Sequence, residues 1–190
     1  MEYATEHGVF VAVAASNDGH SASVQDKGFG INNGTYEPIN SGTFDDPGVA
    51  KNATTVAAEN SRTDEGSGLA DFTSWGPLPD YTLKPDVAAP GVDVISTVNG
   101  KDGYFRSDGT SMATPFTFGV AALVIERLKR TNPELKGAAL VQPVKGLIMN
   151  TATPSNGWRC NCLTKTSRCR WDKCWCSNFF TSLHYNWRWH

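Results

Sequence analysis

The heptapeptide Gly109-Thr110-Ser111-Met112-Ala113-Thr114-Pro115 sets a hydroxyl where a loop passes into a long apolar segment. A serine hydroxyl is a poor nucleophile until a base takes its proton. At the first turn of a helix it gains a second asset. Backbone N–H groups there lack intrahelical acceptors and carry partial positive charge, so they can stabilise the oxyanion that forms on attack. The same position suits a serine that is only an N-cap. Pro115 fits a first turn, where a missing N–H costs no hydrogen bond. A second polar cluster, Ala14-Ala15-Ser16-Asn17-Asp18-Gly19, follows an apolar run. Taken alone, its Asn-Asp-Gly is a turn signal.

The heptapeptide resembles the signature around the nucleophilic serine of the subtilases, and Ala14–Gly19 resembles the segment that supplies their side-chain oxyanion donor. Three further stretches are similar to the family: Asp71–Pro77, Lys84–Gly91 and Leu147–Ala152. The resemblance covers nearly all of residues 1–153, in the family's order. It implies that Ser111 is the nucleophile and that Asn17 offers its amide N–H₂ opposite the Ser111 N–H. It also implies that Ala14, Ala15, Ser16 and Asp18 contribute one wall of the primary specificity pocket. Phe116, where many subtilases carry His, and the Ala57-Ala58-Glu59-Asn60 stretch lean toward cell-envelope proteinases such as lactocepins. The short spacing between Asn17 and Ser111 leaves no room for the domain that many members of that branch insert there.

A subtilase triad runs Asp, His, Ser along the chain. The family's Asp and His motifs both precede the Asn segment, and here only residues 1–16 do so. The four histidines are His7, His20, His184 and His190, and none lies in the family's His-Gly-Thr-His context. Asp108 reads as a loop residue. The implied protein is therefore the C-terminal half of a serine endopeptidase catalytic domain, expected to be inactive alone and to need the missing N-terminal half. A degenerate, non-catalytic module that holds extended peptides by strand addition is the other reading.

The elements that must position these residues follow from apolar patterning. Gly8–Ala15 is a continuous apolar run that reads as a strand buried on both faces. Met1–His7 fits the end of a helix with Gly8 as its C-cap. Thr54–Ala58 and Val92–Thr97 read as further strands, Ser111–Arg130 as a long helix and Lys136–Asn150 as another with a kink at Pro143. The fold class expected is α/β: a partial subtilisin-like three-layer α/β/α fold with a mainly parallel sheet, its N-terminal half missing.

Composition bounds the rest. The 190 residues are 39% hydrophobic with a net charge of −2, which gives no global signal for nucleic acid or a membrane surface. No apolar stretch is long enough to span a bilayer. The N-terminus lacks the basic start and apolar core of a signal peptide, so an extracellular or cell-envelope location follows from the resemblance alone. The character changes near Pro154. Residues 158–190 hold five of the six tryptophans, all five cysteines (Cys160 to Cys176) and a net charge of +5. The Cys spacing matches no common zinc pattern, and neither alternation nor a helical stripe runs through this tail. The expected division is a catalytic-domain body over 1–153 and a Cys/Trp/Arg-rich tail over 154–190, read as an extension from outside the family after about Asn156 or as a disulfide-bonded appendage with one odd thiol. Polypeptide is the expected partner. No cofactor or metal is assigned, although Asp45, Asp46 and Asp64 lie in turn-rich segments of the kind that bind calcium in the family.

Overall fold

A computed structural model describes residues 1–19, 43–60, 68–74, 76, 78, 80–100, 103–154 and 181–182. A short helix α1 (Glu2–Glu6) leads into strand β1 (Ala12–Ala14). Strands β2 (Thr54–Asn60), β3 (Gly68–Leu69) and β4 (Val87–Pro90) follow. A hairpin of β5 (Val94–Thr97) and β6 (Tyr104–Ser107) precedes the long helix α2 (Thr110–Thr131). Helix α3 (Ala138–Thr151), β7 (Thr153–Pro154) and β8 (Thr181–Ser182) complete the described elements.

The main sheet runs β1-β2-β4-β8-β7, with β3 pairing beside β2. β1, β2, β4 and β8 are parallel, while β3 and β7 run antiparallel to their neighbours. β2 and β4 are almost wholly buried, as strands of a parallel sheet covered on both faces must be. Alternation sends Val56, Val87 and Ala89 to one face. There they meet Ala113, Val120 and Ala121 of α2 and Val144 and Ile148 of α3 in one core cluster. The buried stripe of α2 is made mostly of small residues (Thr110, Ala113, Thr117, Val120, Ala121), which lets the helix lie close across β1, β2 and β4. Against the other face, the described residues are segments without helix. Phe44, Val49 and Leu78 pack on Ala15, and the Thr55 hydroxyl donates to the Gly48 carbonyl at 2.9 Å.

An ionic clamp ties α3 to the sheet. The Asp86 carboxylate accepts from Lys84 Nζ at 2.5 Å and Lys145 Nζ at 2.9 Å, and from the Thr55 N–H at 2.8 Å. Both ammonium groups also donate to the Ala53 carbonyl, at 2.7 and 3.2 Å. Burial pulls the Lys84 ammonium below the ordinary lysine range, and Lys145 adds to the lowering, while Asp86 opposes it.

Several expectations need correction. The strand read over Gly8–Ala15 pairs only at Ala12–Ala14, because its parallel partner begins at Thr54 opposite Ala12. β1 ends the strand order, and Val9 is 53% exposed, so the run is not buried on both faces. The strand read over Val92–Thr97 is present, shortened to Val94–Thr97, and lies outside the main sheet. Its Val94–Thr97 part forms a separate hairpin with β6, and the main-sheet strand is Val87–Pro90 just before it. α2 starts at Thr110, so Pro115 is the sixth helical residue and not in the first turn. It removes the N–H that would have bonded the Ser111 carbonyl. The helix read over Lys136–Asn150 is present as Ala138–Thr151, with Pro143 inside it. The tail is not without regular structure, since Thr181–Ser182 lies in the sheet between β4 and β7.

Candidate active site

The candidate residues gather where the parallel strands end, the edge at which α/β sheets bind ligands. β1 stops at Ala14, and Ala15 N–H still bonds the Val56 carbonyl at 2.9 Å. Ser16 then turns the chain with φ of +83°. The turn is held from three sides. The Ser16 carbonyl accepts from the Ser74 N–H at 3.0 Å and the Gly19 N–H donates to the Phe72 carbonyl at 3.0 Å. The Asp18 N–H donates to Ser74 Oγ at 3.1 Å, and Ser16 Oγ accepts from the Asp45 N–H at 3.2 Å. Ser74 is a support that motif reading missed. Its segment was recognisable as family-like, but no spacing rule joins it to Asn17.

The serine arrives from the end of β4. The Gly91 N–H bonds the Glu59 carbonyl at 3.0 Å, and the Gly109 N–H bonds the Gly91 carbonyl at 2.8 Å. A Cβ on Gly91 would lie 2.7 Å from the Ala58 Cβ and 2.8 Å from the Gly109 carbonyl oxygen, so this close approach requires glycine. Beside it the Asp108 carboxylate accepts from the Asp93 N–H, as expected of a loop residue. Ser111 is the second residue of α2. Thr110 and Ala113 on either side of it in the stripe are fully buried, and this turns Ser111 outward to an exposed position.

Asn17 bridges the two segments. Its Oδ1 accepts from the Thr110 N–H at 2.9 Å and from Thr110 Oγ1 at 3.0 Å. A backbone N–H can only donate, so the amide atom facing Thr110 is the oxygen and the –NH₂ group points elsewhere. That direction is toward Gly109. A Cβ built there would stand 3.6 Å from Asn17 Nδ2, 3.7 Å from the Ser111 backbone N and 3.5 Å from Met112 Sδ. Two N–H donors on separate segments thus flank one small space that glycine leaves open. An oxygen developing negative charge there would be met by both donors without rearrangement.

The remaining candidates are placed as follows. Ala14, Ser16 and Asp18 are half-buried around the turn, whereas the Ala15 side chain is buried against Phe44 and Leu78. His7 is exposed on the segment before β1, its Nδ1 2.8 Å from the Tyr3 carbonyl oxygen, at the opposite end of the strand from Asn17. His20, His184, His190, Asp64 and the five cysteines lie outside the described residues. No described helix is long and apolar enough to cross a membrane.

A profile of the Subtilase family matches residues 1–168, and the chain belongs to that family. It is similar to the PII-type proteinase of Lactococcus lactis subsp. cremoris, with 44% identity over 95 residues that make up 46% of this chain and 5% of the relative. It is also similar to the C5a peptidase of Streptococcus pyogenes, with 34% identity over 91 residues, 48% of this chain and 8% of that one. The chain thus spans a small part of the curated relatives it matches. Among solved structures, the prenylagaramide maturation protease PagA superposes with a TM-score of 0.59 at 24% identity, over 95% of this chain and 50% of that one. The S41 psychrophilic protease superposes with a TM-score of 0.55 at 29% identity, over 80% of this chain and 42% of that one. The fold is a partial subtilisin-like α/β fold, and the chain is a subtilase fragment.

Proposed function

We propose that the chain is the serine-bearing half of a serine endopeptidase, with residues 1–153 as catalytic body and 154–190 as tail. Ser111 Oγ bonds to the scissile carbonyl carbon while its proton passes to a base. The carbonyl oxygen becomes the oxyanion between Asn17 Nδ2 and the Ser111 N–H. On collapse the peptide C–N bond breaks, the base protonates the departing amine, and water then releases the acyl group from Ser111. The observation that carries this reading is the pair of hydrogen bonds from the Thr110 N–H and hydroxyl to Asn17 Oδ1, which leaves the amide N–H₂ facing the space beside Gly109.

The base belongs to polypeptide outside this sequence. Without it an oxyanion hole leaves only residual catalysis, on the order of 10³–10⁴ over water in the subtilisin case. Both flanks of α2 offer apolar surface to such a partner segment, since Phe116 and Leu123 are 43% and 53% exposed on one side of its buried stripe and Phe118 is 54% exposed on the other. Substrate is an extended polypeptide, and a cell-envelope or extracellular setting accords with the proteinase relatives. A peptide-cleavage assay on the purified chain with a serine-directed inhibitor tests this. The expected result is no inhibitor-sensitive turnover by the chain alone, and turnover after co-refolding with a segment that carries the family's Asp and His. Robust inhibitor-sensitive cleavage by the chain alone would refute the assignment of the base. Peptide binding without turnover in the co-refolded pair would favour the non-catalytic module.

A further inference from the structure

At the far end of α2 from Ser111 lies a second concavity that the peptidase reading does not use. Ser111 and Lys129 are eighteen residues apart on one helix, so about 27 Å separates the two places. The cavity has a volume of about 620 Å³, within the range of small-molecule sites. Its floor is Phe10, Leu140 and Val144, at 6%, 6% and 0% exposure, and Ile125 of α2 forms a wall. Lys129 and Lys136 stand at its mouth, both exposed. Neither ammonium has a carboxylate partner among the described residues, where Lys51, Lys84, Lys145, Arg106 and Arg130 all do.

An apolar cavity of this size, half open to solvent and with two unpaired cations among its lining residues, suits a molecule with an apolar body and one anionic end. Its body must displace water from Phe10, Leu140 and Val144, and its single anionic end must reach the lysines. A neutral apolar ligand would gain nothing from the two ammonium groups, which stay hydrated at the surface, and a compact inorganic anion would leave the apolar floor uncovered. We propose that this cavity binds a medium-length aliphatic carboxylate, chain inward and head group between Lys129 and Lys136. The site is separate from Ser111 and does not depend on the peptidase assignment.

Calorimetric titration of the chain with dodecanoate, kept below its micelle concentration, is the test. The expected result is saturable one-to-one binding that weakens about fivefold in the Lys129→Gln/Lys136→Gln double variant, as exposed charge pairs weaken. Dodecanol should bind both proteins alike, since it lacks the anionic end. Both lysines are exposed, so the double variant keeps the fold. As a second probe, Ile125→Trp fills the chamber from its half-exposed wall and should abolish binding of acid and alcohol together. The proposal is overturned by an absence of saturable dodecanoate binding, by equal affinity in the lysine double variant, or by unchanged binding in Ile125→Trp.

Discussion

Asn17 and Thr110 are joined twice, through the Thr110 N–H at 2.9 Å and its hydroxyl at 3.0 Å, both to Asn17 Oδ1. Residues 93 positions apart are thereby fixed so that the turn after β1 and the start of α2 present their N–H groups to one space. Asn17→Leu keeps side-chain bulk but removes the donor. In the pair co-refolded with a segment that carries the family's Asp and His, its serine-dependent ester turnover should fall by about 10²–10³, the loss seen when the corresponding donor is removed from a subtilisin. Thr110→Val keeps the N–H bond and loses the hydroxyl bond. It should cost about 0.5–1.5 kcal/mol, or roughly three- to tenfold in the same assay.

Gly109→Ala tests the space itself. The added methyl would sit 3.6 Å from Asn17 Nδ2 and 3.7 Å from the Ser111 N, where the oxyanion is expected, and the backbone there has φ of +151°. Turnover should drop at least as far as in Asn17→Leu, with a further destabilisation of about 1–3 kcal/mol from the backbone. Kinetics and urea denaturation read the two effects separately.

The Asp86 clamp predicts a mutational cost and a pH dependence. Asp86→Asn leaves two ammonium groups facing each other at a buried site and should destabilise by about 3–5 kcal/mol. Lys84 holds its proton less tightly folded than unfolded, because burial depresses its pKa below 10.5. Its contribution to stability is therefore full above 10.5 and lost as pH falls through the lower folded value. The urea midpoint should rise as pH climbs toward 10.5, and Lys84→Met should flatten that rise. A midpoint that stays level in the parent chain would contradict the burial of a charged lysine.

Ile148 joins α3 to the core under α2 and is 1% exposed. Ile148→Ala should cost about 2–5 kcal/mol through lost burial and a residual cavity. Exposed Leu147, its neighbour on the same helix, should cost well under that when changed to Ala. Denaturation midpoints for the pair give the comparison.

The sequence made Ser111 and Asn17 legible because each sits in a contiguous motif whose residue types have local causes: a helix start, a tight turn, glycine where backbones approach. Lys145 was invisible as a partner of Asp86 because no periodicity reports a contact between a helix and a strand 59 positions apart. β4 was passed over because Val87–Pro90 is short and ends in proline, while the more β-branched Val92–Thr97 drew the strand reading into what is a hairpin. The place of Thr181–Ser182 in the sheet depends on pairing with β4 and β7, which the tail's composition does not encode. Pro115 misled because it is the fifth residue even when the helix is started at Ser111, already past the N–H groups that lack an intrahelical acceptor.

The most direct test of the account uses the chain itself. An activated acyl ester is mixed with the protein and increasing free imidazole as an external base, and the acylated residue is identified by peptide mass mapping. The account predicts acylation of Ser111 that rises with imidazole, disappears in Ser111→Ala and is strongly reduced in Asn17→Leu. Acylation that falls on other residues, or that proceeds equally in Asn17→Leu, would contradict it.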